Sequence, residues 1–253
     1  MAGTGTRVDM HVKALDERVV ERAKARGIDA LVYAPHFVRL PDIRERAERF
    51  SDDDLLVVPA REIFTGTWRN RAHVLALGLS EPVPDFVTLD GAMREFDRQD
   101  AAVLAPHPEF LTVSLDERDI DRYTDRLDAI ETYNPKHWPS HNRRARELAD
   151  AYDVPAFASS YAHLAGTVGE VWTTFAADIE TEADLVDALH AGADRAVDHR
   201  SGLRHTIQCR LEFAHLGWEN SYEKLDRLLL SGMEPTHPRH IAYEGRFDDV
   251  RVY

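Results

Sequence analysis

Short apolar runs alternate with amphipathic helical stretches along most of the chain, and this alternation most limits the fold. RVDM (7–10) leads into a helical stretch that Gly27 ends, and the strand-like DALVYA (29–34) follows. Strands separated by helices form parallel neighbours. The sequence therefore predicts a largely parallel α/β sheet, either closed as a barrel or open and doubly wound. The further predicted elements are helices at 41–50, 91–99, 117–126 and 142–152 and strands at 55–60, 73–79, 101–106, 127–133 and 154–160.

Two phosphate-binding signatures are missing from the sequence. No Gly-x-Gly-x-x-Gly follows the first strand, and no Walker-type loop occurs. Their absence weakens the nucleotide-binding folds and favours the barrel. In a parallel barrel the active site lies at the carboxyl ends of the strands.

The charge composition is unusual. The formal net charge is −14, and 27 of the 31 basic residues are arginine. An acidic, lysine-poor surface suits a cytoplasm of high salt concentration. We expect a cytoplasmic protein from a halophilic archaeon, and we expect no broad nucleic-acid binding, because that needs a basic face.

Neither a membrane segment nor a disulfide is expected. No apolar run approaches the roughly 20 residues of a membrane helix, and no secretory signal opens the sequence. The single cysteine, Cys209, excludes an internal disulfide and a cysteine-based zinc site. We expect a buried structural thiol.

Histidines and a glutamate follow the predicted strands. A lone histidine or glutamate beside a strand is more often structural, but five such residues at successive strand ends indicate a shared site. Imidazole and carboxylate groups are suitable ligands for Zn, Mn or Fe. His73 opens its strand, so a bend or a reversed strand must bring it in, and Glu131 lies inside a strand. The candidate metal ligands are His11, His36, Glu62, His73, His107 and His163.

The order of seven motifs over residues 6–175 resembles the PHP domain, named for polymerase and histidinol phosphatase. The motifs are VDMHVKA, LVYAPHF, PAREI, RAHVLALGL, LAPHP, AIETYNP and ASSYAHLAGTVGEVWT. The resemblance implies a distorted (β/α)7-type, TIM-like barrel that gathers up to three metal ions and hydrolyses phosphate esters.

The sequence departs from the family pattern at three places. Lys13 stands where the family has its second histidine, Tyr161 where the closing motif has an aspartate, and Ala34-Pro35 where it has Thr-Asp. The resemblance implies that Lys13 and Tyr161 both affect one metal site, which would share His11 and Glu62.

A second metal site is complete by the same comparison, and a third is partial. The resemblance assigns Glu62, His73 and His107 to the second site. It assigns His36 and His163 to the third, with Asp16 or Glu17 as a further ligand. We therefore expect one or two divalent ions (Mn, Zn or Fe) rather than three.

Several roles remain open for the residues that surround these sites. The Lys13 ammonium could replace a metal's charge, or it could merely pair with Asp9 or Glu62. Tyr161 could be a proton donor, a ligand or a wall that fills the vacated site. Arg61, Arg69 and Arg71 are candidates to contact substrate phosphate, and Asp9, Glu131 and Asn134 are candidates to orient the ligands.

The chain changes character near residue 200. We expect a PHP metal-binding barrel over 1–200 and an appendage over 201–253, helical at first and then irregular. The predicted function is a metal-dependent phosphoesterase acting on a small phosphorylated metabolite or nucleotide. The alternative is a catalytically degenerate PHP domain that binds a ligand or has a structural role. A third possibility is carbon–nitrogen hydrolysis with a carbamylated Lys13.

Overall fold

A computed structural model describes residues 5–67, 70–110, 113–203, 205, 207, 209–211 and 235–252. Within these residues, nine strands form one sheet in the order β7-β6-β5-β4-β3-β2-β1-β8-β9. The strands are β1 (Thr6–Val12), β2 (Ala30–Tyr33), β3 (Leu56–Thr65), β4 (Ala72–Leu77), β5 (Ala102–Ala105), β6 (Ala129–Tyr133), β7 (Ala156–Ala158), β8 (Val171–Phe175) and β9 (Arg195–His199). The helices are α1 (Glu17–Arg26), α2 (Leu40–Phe50), α3 (Leu89–Gln99), α4 (Glu117–Tyr123), α5 (Pro139–Tyr152) and α6 (Glu182–His190).

The sheet curls into a nearly closed barrel. Strands β7 and β8 are not neighbours in the ladder, yet Thr173 on β8 joins them. Its hydroxyl accepts a hydrogen bond from the Ala158 amide at 2.9 Å and donates one to the Ala158 carbonyl at 3.1 Å. The predicted distorted, TIM-like α/β barrel is confirmed.

Strand direction differs from the prediction of a largely parallel sheet. Parallel pairing joins β1 to β2 and β2 to β3, and it joins β5 to β6 and β6 to β7. Strand β4 is antiparallel to both of its neighbours, and β8 and β9 are also antiparallel. The cause is local, because only residues 66–71 connect β3 to β4 and leave no room for a helix. The reversed strand expected for His73 is therefore present.

The barrel interior is apolar at one end. Strand residues such as Val8, Val58 and Phe157 pack there against Leu185 and Leu189 of α6, and all five are buried. Helix α6 therefore closes the end at which the parallel strands begin. The opposite end of the interior contains the polar groups described below.

Helix α1 ends at the glycine that its sequence predicts. The Asp16 carboxylate caps it by accepting a hydrogen bond from the Val19 amide at 2.9 Å, and Gly27 ends it with a φ of 69°. Asp16 is therefore engaged in helix capping. Glu17 is exposed on the first turn. The assignment of either residue as a third-site ligand stays a prediction.

The C-terminal segment packs against the outside of the barrel. The Asp85 amide donates to the Thr236 carbonyl at 2.9 Å, and the Thr88 amide donates to the Val250 carbonyl at 2.8 Å. Tyr243 and Phe247 are buried in the cluster that contains α3. The domain boundary at residue 200 stays a prediction.

Part of the predicted C-terminal helix can be compared with the structure. The backbone is helical over the described residues from 203 to 211, and the predicted continuation over 212–234 lies outside the described residues. Cys209 is buried, as predicted. No described helix is long and apolar enough to span a membrane.

Candidate metal centre

Glu62 lies at the centre of the polar end of the barrel. It was expected just after its strand, but β3 continues to Thr65, so Glu62 is a strand residue facing the interior. Its side chain has no exposed surface. Because neighbouring strand residues face opposite sides, Arg61 is directed away from this interior.

One oxygen of Glu62 faces two histidines. Glu62 Oε1 lies 2.9 Å from His107 Nε2 and 3.3 Å from His73 Nδ1. The three residues come from β3, from the residues after β5, and from β4. One possible ligand atom from each lies within 4.8 Å of the other two, and all three residues are buried.

These three side chains fit a divalent metal ion. Ligands at about 2.1 Å in a tetrahedral arrangement lie roughly 3.4 Å apart, close to the two distances measured from Glu62 Oε1. Both ring nitrogens of the buried His73 have no hydrogen-bond partner among the described residues. A buried imidazole without such partners is costly, and a metal ligand bond would satisfy one of its nitrogens.

The other oxygen of Glu62 faces Lys13. The Lys13 ammonium donates to Glu62 Oε2 and to the Ala34 carbonyl, the latter at 2.6 Å. His36 Nδ1 lies 3.0 Å from the same carboxylate oxygen, and His11 Nε2 lies 3.8 Å from it. Lys13 therefore places a positive charge on the side of Glu62 that faces away from His73 and His107.

Burial and charge together set the protonation of the Lys13–Glu62 pair. Burial lowers the pKa of Lys13 to about 8, although Glu62 opposes the shift. Burial would raise the pKa of Glu62, but the charge of Lys13 opposes it, and the pKa is held well below its usual range. The pair is charged at neutral pH.

Three of the histidines around Glu62, His11, His36 and His73, have lowered pKa values and are neutral at physiological pH. Burial, reinforced by the charge of Lys13, holds the pKa values of His11 and His36 well below their usual range. Burial also lowers the pKa of His73, against the opposing effect of Glu62. Neutral imidazole is the form that binds metals.

The main chain at His107 adopts an unusual conformation that its neighbours hold in place. The φ of His107 is 36°, which is rare for a residue with a side chain. Glu131 Oε2 accepts a hydrogen bond from the His107 amide at 2.7 Å, and Ser114 Oγ lies 2.9 Å from His107 Nδ1. Asn134 and Ser159 in turn donate to Glu131. Glu131, held by Asn134, thus fixes the main chain at His107, and the role of both residues in orienting metal ligands stays a prediction.

Asp9 ties β1 to the loops after β7. Its carboxylate accepts hydrogen bonds from the Ser160 amide at 2.9 Å and from the Gly169 amide at 3.1 Å. Burial raises its pKa to about 6. Lys13 therefore pairs with Glu62, while Asp9 positions the strand that carries His11 and Lys13.

Tyr161 lies against the histidines and between two lysines. Its ring centroid is 4.8 Å from that of His11 and 5.5 Å from that of His107. Lys13 Nζ lies 5.6 Å and Lys136 Nζ 4.6 Å from the ring centroid. Lys136 also donates to the Tyr161 carbonyl, and Tyr161 has a φ of 48°. The ring thus lies beside His11 and His107, and the choice among the roles left open for Tyr161 stays a prediction.

Sequence reasoning missed Lys136. It is one of four lysines in the chain, and it is buried at the carboxyl end of β6, two residues after Asn134. The signal available in the sequence was a rare lysine directly after the motif AIETYNP, which was already assigned to the site.

The remaining predicted residues have diverse positions. His163 lies near His36, with ring centroids 6.1 Å apart.

Arg61 is not at the cluster. Its guanidinium forms a buried ion pair with Asp85 at 3.0 Å and donates to the Val38 carbonyl at 2.7 Å. The expected phosphate contact is therefore replaced by a structural ion pair. Arg71 precedes β4, and Arg69 lies outside the described residues.

Comparison with known protein families gives one match. A family model described as PHP-associated matches residues 139–193, which is less than half of the chain and runs from the start of α5 to just beyond α6. A search of curated protein sequences gives no significant match.

Several solved structures have a similar fold. PsfC from Pseudomonas syringae has a TM-score of 0.61 at 17% identity, covering 83% of this chain and 98% of that one. A lesion-specific endonuclease from Pyrococcus furiosus has a TM-score of 0.56 at 14% identity, covering 76% of this chain and 57% of that longer one. An amidohydrolase from Chromobacterium violaceum has a TM-score of 0.52 at 14% identity, covering 74% of this chain and 97% of that one. These likenesses concern the fold alone, and the family model supports a PHP-associated segment over residues 139–193.

Proposed function

We propose that the chain is a metal-dependent hydrolase of phosphate esters and that Glu62, His73 and His107 hold its divalent metal ion. The observation that carries this proposal is the buried trio itself, in which one carboxylate oxygen lies 2.9 Å and 3.3 Å from two imidazole nitrogens. A bound Mn, Zn or Fe ion would supply Lewis acidity and activate a water for attack on phosphorus.

The residues around the trio would balance the negative charges of Glu62 and of the substrate. Lys13 neutralises the second oxygen of Glu62 and keeps a cation where the family resemblance implies another metal ion. Lys13 and Lys136 would also favour an anionic substrate near Tyr161. His11 and His36 lie on the Lys13 side of Glu62. His163 lies near His36, and these two histidines would be the ligands for a second ion.

A small phosphorylated substrate suits this chain better than a nucleic acid. The net charge of −14 opposes binding of a long polyanion, and the trio is buried. One structural neighbour is described as a lesion-specific endonuclease, so a DNA substrate is the comparison to include in any activity panel.

The second candidate function is a degenerate module without catalysis. The observation that favours it is the Lys13–Glu62 ion pair, which occupies one oxygen of the central carboxylate. In this case the ion pair would stabilise the fold and the retained histidines would bind no metal.

Metal analysis combined with phosphate release separates the two candidates. We expect about one to two equivalents of Mn, Zn or Fe in the purified wild-type protein, and release of phosphate from a mixed panel of monoesters and diesters. Glu62→Gln and His107→Ala should lose both the metal and the activity, whereas Glu45→Gln, an exposed carboxylate on α2, should retain both. Metal-free wild-type protein, or unchanged metal in Glu62→Gln, would overturn the assignment.

A further inference from the structure

The loop that joins β5 to α4 carries His107 and returns to contact it a second time. The Glu109 amide near its start donates to the Leu115 carbonyl near its end at 3.0 Å. The Leu115 side chain is fully buried in the apolar cluster that contains α3. The loop is therefore closed by its own hydrogen bond, and its far end is anchored in the core.

The returning part of this loop also lies against β4 at His73. The His73 amide donates to the Val113 carbonyl at 3.1 Å, and His73 forms a parallel bridge with Ser114. His73 and His107 are the two imidazole members of the trio. Ser114 therefore connects the main chain of one histidine with the side chain of the other.

The Ser114 hydroxyl has two partners. Its oxygen lies 2.9 Å from His107 Nδ1, and the hydroxyl donates to the Phe110 carbonyl at 3.1 Å. A serine hydroxyl has a single hydrogen to donate, and the Phe110 carbonyl accepts it. Ser114 Oγ is thus an acceptor toward His107, which requires a hydrogen on His107 Nδ1.

The hydrogen on Nδ1 decides which nitrogen of His107 is available to a metal ion. A neutral imidazole has one N–H and one lone pair, and only the nitrogen with the lone pair binds metal. His107 Nε2 lies 2.9 Å from Glu62 Oε1, on the side of the ring that faces the trio. A hydrogen held on Nδ1 therefore leaves Nε2 as the ligand atom.

The backbone of the loop is unusual at two positions. The φ angles are 36° at His107 and 52° at Glu109, in the left-handed region that residues with side chains rarely adopt. Such conformations persist only where surrounding contacts hold them, and they cluster at functional sites. Arg144 Nε of α5 supplies one such contact by donating to Glu109 Oε2 at 2.9 Å, and the Ser114 hydroxyl supplies another.

We propose that Ser114 is a positioning residue of the metal centre, and that its hydroxyl holds the His107 ring with the hydrogen on Nδ1 and Nε2 directed to the ion. This inference rests on the metal ion that the proposed function assigns to Glu62, His73 and His107. Ser114 acts through His107 and is not itself a ligand. Hydrogen-bond partners of metal-binding histidines fix the tautomer and the ring orientation in this way.

Metal affinity tests the proposal without turnover. Loss of such a partner lowers metal affinity about 10–100-fold, so Ser114→Ala should raise the Kd for Mn²⁺ by a factor in that range. Ser114→Thr keeps a hydroxyl and should restore most of the affinity. Ser201→Ala, at an exposed position after β9, is the matched control and should leave the Kd unchanged.

Isotope-edited NMR of the histidine side chains, at constant pH, reads the position of the hydrogen directly. In wild-type protein loaded with Zn²⁺, the hydrogen of His107 should be on Nδ1 and protected from exchange with solvent. In Ser114→Ala this protection should be lost. A general loss of stability would lower the unfolding temperature, but it would change neither the exchange at Nδ1 nor the metal affinity of the folded protein.

The outcomes separate this inference from the proposed function. Weaker Mn²⁺ binding by Ser114→Ala, together with wild-type protein that hydrolyses no phosphate ester, would support the positioning role and overturn the phosphoesterase. Hydrolysis by the wild-type protein, together with an unchanged Kd in Ser114→Ala, would overturn the positioning role alone. A hydrogen on His107 Nε2 in the Zn²⁺-loaded wild-type protein would also overturn it.

Discussion

Lys13 and Glu62 show how a single residue can preserve the charge of a site while changing its composition. The ammonium pairs with one carboxylate oxygen, and the other oxygen remains beside His73 and His107. Sequence reasoning left open whether Lys13 pairs with Asp9 or Glu62. The sequence alone does not distinguish them, because alternation would put Asp9 and Lys13 on the same face of an extended strand.

Removing the lysine should destabilise the protein. Lys13→Met would leave the buried Glu62 carboxylate without its cation, and breaking a buried pair in this way costs about 3–5 kcal/mol. We expect a loss of that size in urea unfolding of metal-depleted protein, and a smaller loss when Mn is present to compensate the charge. Equal stability of the two metal-depleted proteins would mean that the pair has little importance for the fold.

Restoring the family's residue should restore a metal ion. In Lys13→His the imidazole would stand beside His11 and the free oxygen of Glu62, which gives three neutral or anionic ligands in place of a cation. We expect the metal content to rise by about one equivalent relative to wild type. Unchanged content would indicate that Tyr161 alone excludes the ion.

At the level of elements, each strand that carries or precedes a candidate metal ligand was predicted as a strand. The strand ends were less certain: β3 runs five residues past its predicted end at Ala60, so Glu62 faces the interior and Arg61 is turned toward Asp85. If the length of β3 had been known, the alternation of its side chains would have predicted that Arg61 and Glu62 face opposite sides of the sheet. The sequence analysis did not identify β8, α6 or β9. Their placement depends on pairing between β8 and β1, which lie far apart in the sequence and leave no local pattern.

Helix α6 is held to the barrel by His190, a titratable residue whose ring contacts the Asp128 carboxylate and the Asp100 carbonyl. His190 Nδ1 in its last turn lies 2.9 Å from Asp128 Oδ1, just before β6. Partial burial would lower the pKa of His190, but the hydrogen bond to Asp128 outweighs it and raises the pKa. The stabilisation is therefore complete below the unfolded-state pKa of about 6.5 and is lost as the pH rises through the higher folded-state value.

Replacement of this histidine should reveal the pH dependence. We expect wild type to exceed His190→Gln in unfolding free energy by up to about 1 kcal/mol at pH 5.5, since the contact is partly exposed, and the difference to shrink by pH 8.5. Denaturant titrations at the two pH values give the comparison. A difference that grows with pH would contradict the assigned direction of the shift.

At the scale of the whole molecule, the barrel and its C-terminal segment form one packed structure. Tyr243 is 2% exposed and belongs to the same cluster as Met93 and Phe96 of α3. The segment also pairs with residues 85–88, which include the partner of Arg61. The composition of the tail indicated an appendage, but its docking position depends on contacts with α3 that no local sequence pattern encodes.

Truncating the tyrosine should show that this segment stabilises the barrel. Large aromatic-to-alanine changes in a core cost about 3–5 kcal/mol, so Tyr243→Ala should lower the unfolding free energy by about that amount. Ile241→Ala, two residues away and 85% exposed, should lower it by less than about 0.5 kcal/mol. Similar effects for both variants would mean that the segment is not packed as described.

The central claim is that the retained residues around Glu62 hold a metal ion while Lys13 replaces another. The most direct measurement is an anomalous difference map from a crystal of the wild-type protein soaked in Mn²⁺. We predict a peak within bonding distance of Glu62 Oε1, His73 and His107, with the Lys13 ammonium still in contact with Glu62 Oε2. No peak at these three residues, or a peak that displaces Lys13 from Glu62, would contradict the account.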